Sequence, residues 1–264
     1  MTTLGILVPS LAALGSVSHR FFSRTGGTSP APWRGLNTSL SVGDVGARVE
    51  ENLARVRFQL GVGRRALFTA SQVHGSAVVE VTDEHQPDDV AAMQADGLVT
   101  TRRDIALGVR TADCAPILLA SRDGRVVAAL HAGWRGAVSG VLENGVSAFV
   151  RHGVAPHDVV AVVGPTIGQN AFEVGPDVIE VAARACELDG LVVAGRDDRT
   201  HLDLPGFVER LLKRAGVVDV TVVRRCTFAD EEFFSHRRDN GVTGRQLSAI
   251  ATVRPPVLDP GTFG

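Results

Sequence analysis

The chain has 264 residues, 44% hydrophobic and 21% charged, enough to bury a substantial core in one large domain or two small ones. Its formal net charge of -2 removes any general electrostatic reason to bind nucleic acid or an anionic membrane, so a basic site has to be local. Three cysteines, no tyrosine and a single lysine, Lys213, argue against a disulfide framework, tyrosine acid-base chemistry and a Schiff-base or Walker-type lysine, and they suit a reducing, cytoplasmic setting.

Residues 4–17 are apolar enough to imitate the core of a signal peptide. No Lys or Arg precedes them, Pro9 interrupts them, and no later segment reaches the roughly 20 apolar residues of a membrane span. "GDVGARVEENLARVRFQLG" predicts a helix with Asp44 as N-cap, Val49, Leu53, Val56 and Leu60 on one face, and Gly61 as the stop. Short β-branched runs predict strands at 77–82, 104–109, 116–121, 125–131, 158–164 and 219–223. Several are apolar on both faces, which implies sheets covered by other layers. The acidic segment 83–95 reads as a surface loop with a solvated His85, and His152 and His157 as flanking a helix-to-strand loop. Helices are predicted at 136–151, with Val138, Val141, Leu142 and Phe149 on one side, at 176–187 behind Pro176, and at 205–215 behind Pro205. The alternation is that of an α/β protein.

Three residues at the ends of apolar runs stand out: His74 in "SQVHG", Cys114 in "TADCAPILLA" and His131 in "AALHAGWRG". Thiolate and neutral imidazole suit zinc, and three protein ligands leave a fourth position open, as a catalytic site requires. Spacing alone leaves two alternatives, unrelated core residues and a Cys-His nucleophile pair. The His-X-His pairs of multicopper oxidases are missing, as is the His-X-Glu with Pro-Cys-X-X-Cys pattern of zinc nucleobase deaminases.

The strings "FFSRTGGTSPAPWRGLNTSLSVGD", "SQVHG", "ADGLVT", "TADCAPILLA", "AALHAGWRG", "GPTIGQNAFEVG", "HLDLPGFVERLL" and "CTFADEEFFSHRRDNGVTGRQLSAI" occur in order from Phe21 to Ile250. In them the chain resembles the laccase-domain, or YfiH-like, family, whose members also carry the names multicopper polyphenol oxidase and peptidoglycan editing factor. The resemblance implies an α/β (α+β) layered sandwich with mixed β-sheets and outer helices. It also implies one domain over 21–255, with 1–20 as an extension or first strand and 256–264 as a tail. It implies zinc held by His74, Cys114 and His131, with copper as the other metal to consider, and Gly133 letting the chain turn away from the metal.

The activity implied is phosphorolysis of adenosine, inosine or S-methyl-5'-thioadenosine, with adenosine deamination as a further reaction. Zinc chemistry permits both. A peptidoglycan-precursor hydrolase using Cys114, a polyphenol oxidase, and a zinc-stabilised interaction module without turnover are the alternatives. Small-molecule purine nucleosides and phosphate are thus the expected partners, with no nucleic acid or membrane; the oligomeric state is left open. For the phosphate, Arg135 at a helix start and Arg24 in a glycine-containing loop are the candidates, each with a structural ion pair as the bland alternative, which weighs more heavily on Arg237 and Arg238. Asp113 is placed with the catalytic residues, to orient a ligand or accept a proton, or else to shape a turn, and Asn37 either lines the pocket or shapes its own turn. Trp134 can stack a purine or plug the core. His201 and His236 are not expected as ligands, and Cys186 and Cys226 read as packing residues, Cys226 the likelier of the two to matter.

Overall fold

Ile117 and Leu119 point into one core, while Leu118 and Ala120 point into another. A strand that is apolar at every position needs two cores, and the period-two alternation of side chains supplies one on each face. The computed structural model describes residues 4–252; the expected tail at 256–264 lies outside the described residues.

In chain order the elements are β1 (Gly5–Ile6), α1 (Pro9–Ala12), β2 (Val17–Phe22), α2 (Gly46–Leu60), β3 (Leu67–Phe68), β4 (Val78–Glu80), α3 (Pro87–Ala92) and β5 (Gly97–Thr100). There follow β6 (Ala106–Thr111), β7 (Ala115–Ser121), β8 (Val127–Ala132), α4 (Trp134–Val138), α5 (Val141–Arg151) and β9 (Val159–Val163). The last are β10 (Glu173–Val174), α6 (Pro176–Ala185), β11 (Val192–Ala194), β12 (Thr200–Leu202), α7 (Leu204–Arg214), β13 (Asp219–Val222) and β14 (Gln246–Thr252). They form a five-stranded sheet ordered β1-β2-β14-β6-β3, a six-stranded sheet ordered β13-β9-β7-β8-β5-β4, and a small sheet ordered β10-β12-β11. Both large sheets are mixed, with parallel pairs at β3/β6, β4/β5 and β9/β13.

The two large sheets stack face to face. Phe21, Leu107, Val109 and Ile250 of one meet Leu118, Ala120, Val127 and Val162 of the other. On the far face of the six-stranded sheet, Ile117, Leu119 and Leu130 pack on Leu142 and Phe149 of α5 and on Phe207 and Leu211 of α7. On the far face of the five-stranded sheet, Leu247, Ala249 and Ala251 pack on Val56 and Leu60 of α2. The result is a four-layer α-β-β-α sandwich, in which each buried leucine or phenylalanine stabilises by about 1.5–3 kcal/mol. No helix among the described residues is long and apolar enough to cross a membrane.

All six predicted strands are present. The predicted helix at 136–151 is two, because Gly140 takes a left-handed φ of 95° and breaks the ladder between α4 and α5. The expected loop at 83–95 contains α3, started by Pro87 and a reciprocal cap between Gln86 and Asp89. His85 there is half-buried and not solvated, its Nδ1 accepting the Thr82 amide at 3.1 Å. Helix α2 ends at Gly61 as expected, with φ 72°, but Val45 holds its N-cap position. Asp44 is spent instead on the preceding loop, accepting the Val45 amide and the Asn37 side-chain amide, each at 2.7 Å. Strands β1, β2, β3, β5, β10, β11, β12 and β14 lie outside the predicted runs, and the apolar residues 4–17 belong to the fold, with Leu11 fully buried.

This layering puts one connection at a decisive place. Residues 112–114 cross from β6 in one large sheet to β7 in the other, carrying Asp113 and Cys114.

Candidate metal centre and its cavity

Where the two large sheets meet, their strand ends enclose a cavity of about 770 Å³. Cys114 enters it from the crossing loop, His131 from the end of β8, and His74 from the loop before β4. One donor atom from each lies within 4.8 Å of the others, and Cys114 Sγ stands 3.8 Å from His74 Nε2. The imidazole rings meet edge to face, with centroids 4.9 Å apart. Donors on a tetrahedral zinc sit about 3.3–3.6 Å apart, so the three need only a small contraction.

Asp96 organises two of the three. Fully buried before β5, its carboxylate accepts the backbone amides of Val73 (3.1 Å), His74 (3.0 Å) and Gly75 (2.7 Å), and also contacts His131 Nδ1 at 2.8 Å. The three amides hold His74 in a left-handed conformation, φ 59°, which a residue other than glycine adopts only when the surroundings impose it. The contact to Nδ1 leaves His131 Nε2 facing the other two donors, the way a carboxylate commonly fixes the ring of a metal-bound histidine. Burial works to raise the Asp96 carboxyl, but the His131 and Gly75 hydrogen bonds outweigh it and hold it below the usual range.

Cys114 and His131 also shift each other's protonation, each favouring the charged form of the other. Burial works to raise the thiol, yet the charge and hydrogen bond of His131, then those of His74, bring it down to about 6. Burial likewise opposes charge on His131, but the Cys114 thiolate and then Asp96 push it up to about 9. The two histidines thus favour the thiolate form that a metal requires.

Gly133 matters for space and not for turning. Its φ is an ordinary -71°, but a Cβ there would stand 3.0 Å from Cys114 Sγ and 3.2 Å from His74 Cδ2. Asp113, with φ 93°, lines the cavity, and its carboxylate is fully engaged. Oδ1 accepts the Thr227 hydroxyl (2.6 Å) and Oδ2 the Arg237 amide (2.7 Å), while its carbonyl accepts Thr166 Oγ1 and the Ile167 amide. These bonds hold the crossing loop and so aim Cys114.

Of the expected substrate residues, Arg135 lines the cavity, exposed and stacked 4.5 Å over Trp134; α4, which carries both, spans five residues. Arg24 lies outside the cavity lining, its Nε donating to the Arg34 carbonyl (3.0 Å) and its guanidinium 4.8 Å over Phe234. Asn37 is fully buried behind the wall, tying Ser39, Asp44 and the Arg245 amide together. Arg237 and His236 line the cavity; Arg238, paired with Asp239 and donating to the carbonyls of Thr227 and Phe233, does not. His201 sits in β12 against Gln169 and Glu173, His152 against Glu80 and His157 against Asp158, all outside the lining. Cys186 is buried at the end of α6, and Cys226 accepts the Gly168 amide at 3.1 Å.

Sequence reasoning missed Asp96, Arg110 and Arg245. Each is a charged residue bordering an apolar strand, a signal present in "ADGLVT", "GVRTADC" and "TGRQLSAI". Among the lining residues the cavity has four arginines, Arg110, Arg135, Arg237 and Arg245, and one carboxylate, Asp113.

A protein named purine nucleoside phosphorylase from Deinococcus radiodurans is 39% identical over 246 residues, covering 93% of this chain and 92% of that protein. One named purine nucleoside phosphorylase YfiH, from Escherichia coli, is 35% identical over 246 residues, covering 93% of this chain and 98% of its own length. The crystal structure of YlmD from Geobacillus stearothermophilus superposes with a TM-score of 0.88 at 30% identity, over 96% of this chain and 98% of that one. The family model described as multi-copper polyphenol oxidoreductase laccase matches residues 18–253, and the chain belongs to that family.

Proposed function

We propose that the protein is a zinc-dependent purine nucleoside phosphorylase acting on adenosine, inosine or S-methyl-5'-thioadenosine. The observation that carries this reading is one cavity in which a His-Cys-His triad faces four arginines and a single carboxylate, in a protein of net charge -2. A concave site lined with excess positive charge favours an anionic reactant. Its volume of about 770 Å³ falls in the range that takes a small organic ligand, with room for a nucleoside and phosphate. The names of the Deinococcus and Escherichia coli relatives point the same way.

Two histidines and a thiolate suit zinc or copper. Among the described residues no methionine lines the cavity, so the long axial thioether of many blue-copper sites has no counterpart there, which favours zinc. His74, Cys114 and His131 would hold the ion, and it would supply a Lewis-acidic position that orients and polarises a substrate oxygen or nitrogen.

The chain's own residues bind and orient. The Trp134 ring offers a face for the purine, and the arginines offer donors for phosphate. A phosphate oxygen forms a bond to C1' of the pentose as the C1'–N9 bond breaks. The electron pair leaves with the purine, which takes up the proton that hydrogen phosphate gives up, so the products are free base and pentose 1-phosphate. Adenosine deamination, the further reaction implied by family resemblance, is the weaker reading, because both oxygens of the lining carboxylate Asp113 are already occupied.

The test is chromatography of metal-quantified protein incubated with each nucleoside, with and without phosphate, beside Cys114→Ala. Base release that requires both phosphate and Cys114 is expected. Turnover of adenosine to inosine without phosphate would replace the reading by deamination, and absence of any nucleoside turnover by the metal-loaded protein would overturn it in favour of another substrate such as a cell-wall precursor.

A further inference from the structure

The four cavity arginines are not equivalent. Arg135 is exposed and stacked on Trp134, and Arg237 donates to the carbonyls of Ala171 (3.0 Å) and Glu173 (3.4 Å). Arg110 and Arg245 belong to the five-stranded sheet. In the antiparallel β6/β14 ladder, Thr111 stands opposite Gln246 and Arg110 opposite Leu247. Arg245, one residue before β14, therefore takes the diagonal position on the same face as Arg110, at a spacing of roughly 7–8 Å.

Each of the two has its backbone anchored by a side-chain amide. Gln72 accepts the Arg110 amide and donates to the Arg110 carbonyl, both at 2.8 Å; Asn37 accepts the Arg245 amide at 2.9 Å. The guanidinium groups, in contrast, are only partly used. Arg110 Nε donates to the Thr38 carbonyl (2.8 Å), and one terminal nitrogen of Arg245 donates to the carbonyls of Thr243 and Gly244. Among the described residues neither arginine forms an ion pair, and the terminal nitrogens of Arg110 have no hydrogen-bond partner. Thr111, next in the chain and on the opposite face of β6, also lines the cavity with a buried hydroxyl that has no partner.

An unpaired, partly desolvated cation is costly, and a fixed pair of them is a site awaiting an anion. Burial pushes Arg110 down to about 10 with no acid to offset it. Burial also lowers Arg245, but the Cys114 thiolate and Asp113 act in the opposite direction, which puts Arg245 within electrostatic reach of the metal triad.

We propose that Arg110 and Arg245 form the oxyanion subsite of the cavity, holding a tetrahedral phosphate between the arginine wall and the His-Cys-His triad. Guanidinium forks match phosphate oxygens in planar, bidentate fashion, and each such charge-assisted contact is stronger than a neutral hydrogen bond. The assignment of inorganic phosphate as the physiological ligand rests on the phosphorylase reading; the oxyanion chemistry of the site does not. The phosphate can arrive as the free ion or as the phosphoryl group of pentose 1-phosphate in the reverse reaction.

Binding of inorganic phosphate and of ribose 1-phosphate is measured by titration calorimetry on the full-length, metal-loaded protein, alongside the KM for phosphate and for inosine. Arg110→Gln and Arg245→Gln are each expected to weaken phosphate binding about tenfold or more while the inosine KM stays within about twofold. Arg110→Lys should recover part of the loss. Loss of ribose 1-phosphate binding alone would assign the pair to the sugar phosphate. Unchanged affinity for both ligands, or a rise in the inosine KM instead, would overturn the proposal.

If a variant does not fold, the wild type still answers. Inorganic phosphate should protect Arg110 and Arg245 from phenylglyoxal, mapped by peptide mass spectrometry, where equimolar chloride does not. Protection of Arg135 or Arg237 alone would overturn the assignment. The two readings fail separately: phosphate binding lost in Arg110→Gln without nucleoside cleavage by the wild type keeps the subsite and removes the phosphorylase. Phosphate-dependent cleavage that both glutamine variants retain, with unchanged phosphate affinity, does the reverse.

Discussion

The six-stranded sheet supplies the metal wall of the cavity, and the five-stranded sheet supplies its arginine wall. The metal wall satisfies itself: Asp96 collects three backbone amides and the His131 ring, and Cys114 and His131 each favour the charged form of the other. The arginine wall is anchored in its backbone but unpaired in its charge, since Gln72 and Asn37 fix the chain while, among the described residues, no carboxylate forms an ion pair with Arg110 or Arg245. A wall that satisfies itself holds its geometry without ligand. A wall left charged is built for something that arrives from solution.

The contrast is broken most severely by Cys114→Ala. Bound metal, measured by elemental analysis, should fall to background and nucleoside cleavage should disappear with it, while phosphate binding at the opposite wall persists. Cleavage surviving in the metal-free variant would separate the triad from the chemistry. Asp96→Asn comes next: it keeps the size but removes the charge that orients His131 and gathers the His74 loop, and metal affinity against a competing chelator should drop about 10–100-fold.

The self-compensation of the metal wall can be read by pH. In chelator-treated protein, alkylation of Cys114 by iodoacetamide should stay fast below the ordinary thiol value of 9.0 and fall only as pH drops through about 6, where the thiolate takes up a proton. A midpoint near 9 would mean the thiolate-imidazolium pair does not form. Gly133→Ala should cost less, about tenfold in metal affinity, because the new Cβ pushes on Cys114 and His74 without removing a donor. Smallest of all is Arg24→Ala, outside the lining, for which phosphate affinity should stay within about twofold. A larger loss would extend the arginine wall beyond Arg110 and Arg245.

The two walls also differ in how far they could be read in advance. His74, Cys114 and His131 stood out as candidates because imidazole and thiolate are uncommon side chains at strand ends, the family resemblance implied them as a set, and the fold brings their donor atoms within 4.8 Å of one another. Arg110 and Arg245 were passed over in favour of Arg24 and Arg135. An arginine in one sequence looks the same whether it faces solvent, as most do, or a cavity. Asp96 was missed for a related reason: its role is to receive amides from a loop some twenty residues earlier and a ring on another strand, and none of these is its neighbour in the chain.

The sequence by itself determined the alternation of elements, six strands of the sandwich and the stop of α2 at Gly61, and it offered His74, Cys114 and His131 as candidate donors. Each of these follows from local periodicity, from backbone freedom or from side-chain chemistry. Tertiary structure alone decided that α4 and α5 are separate, that Gly133 is needed for room, and that Asp113 is wholly engaged in holding the crossing loop. It alone brought Arg110 and Arg245 to one face of the sheet, because register between β6 and β14 is fixed by the apolar faces they must bury, and not by anything written near either arginine.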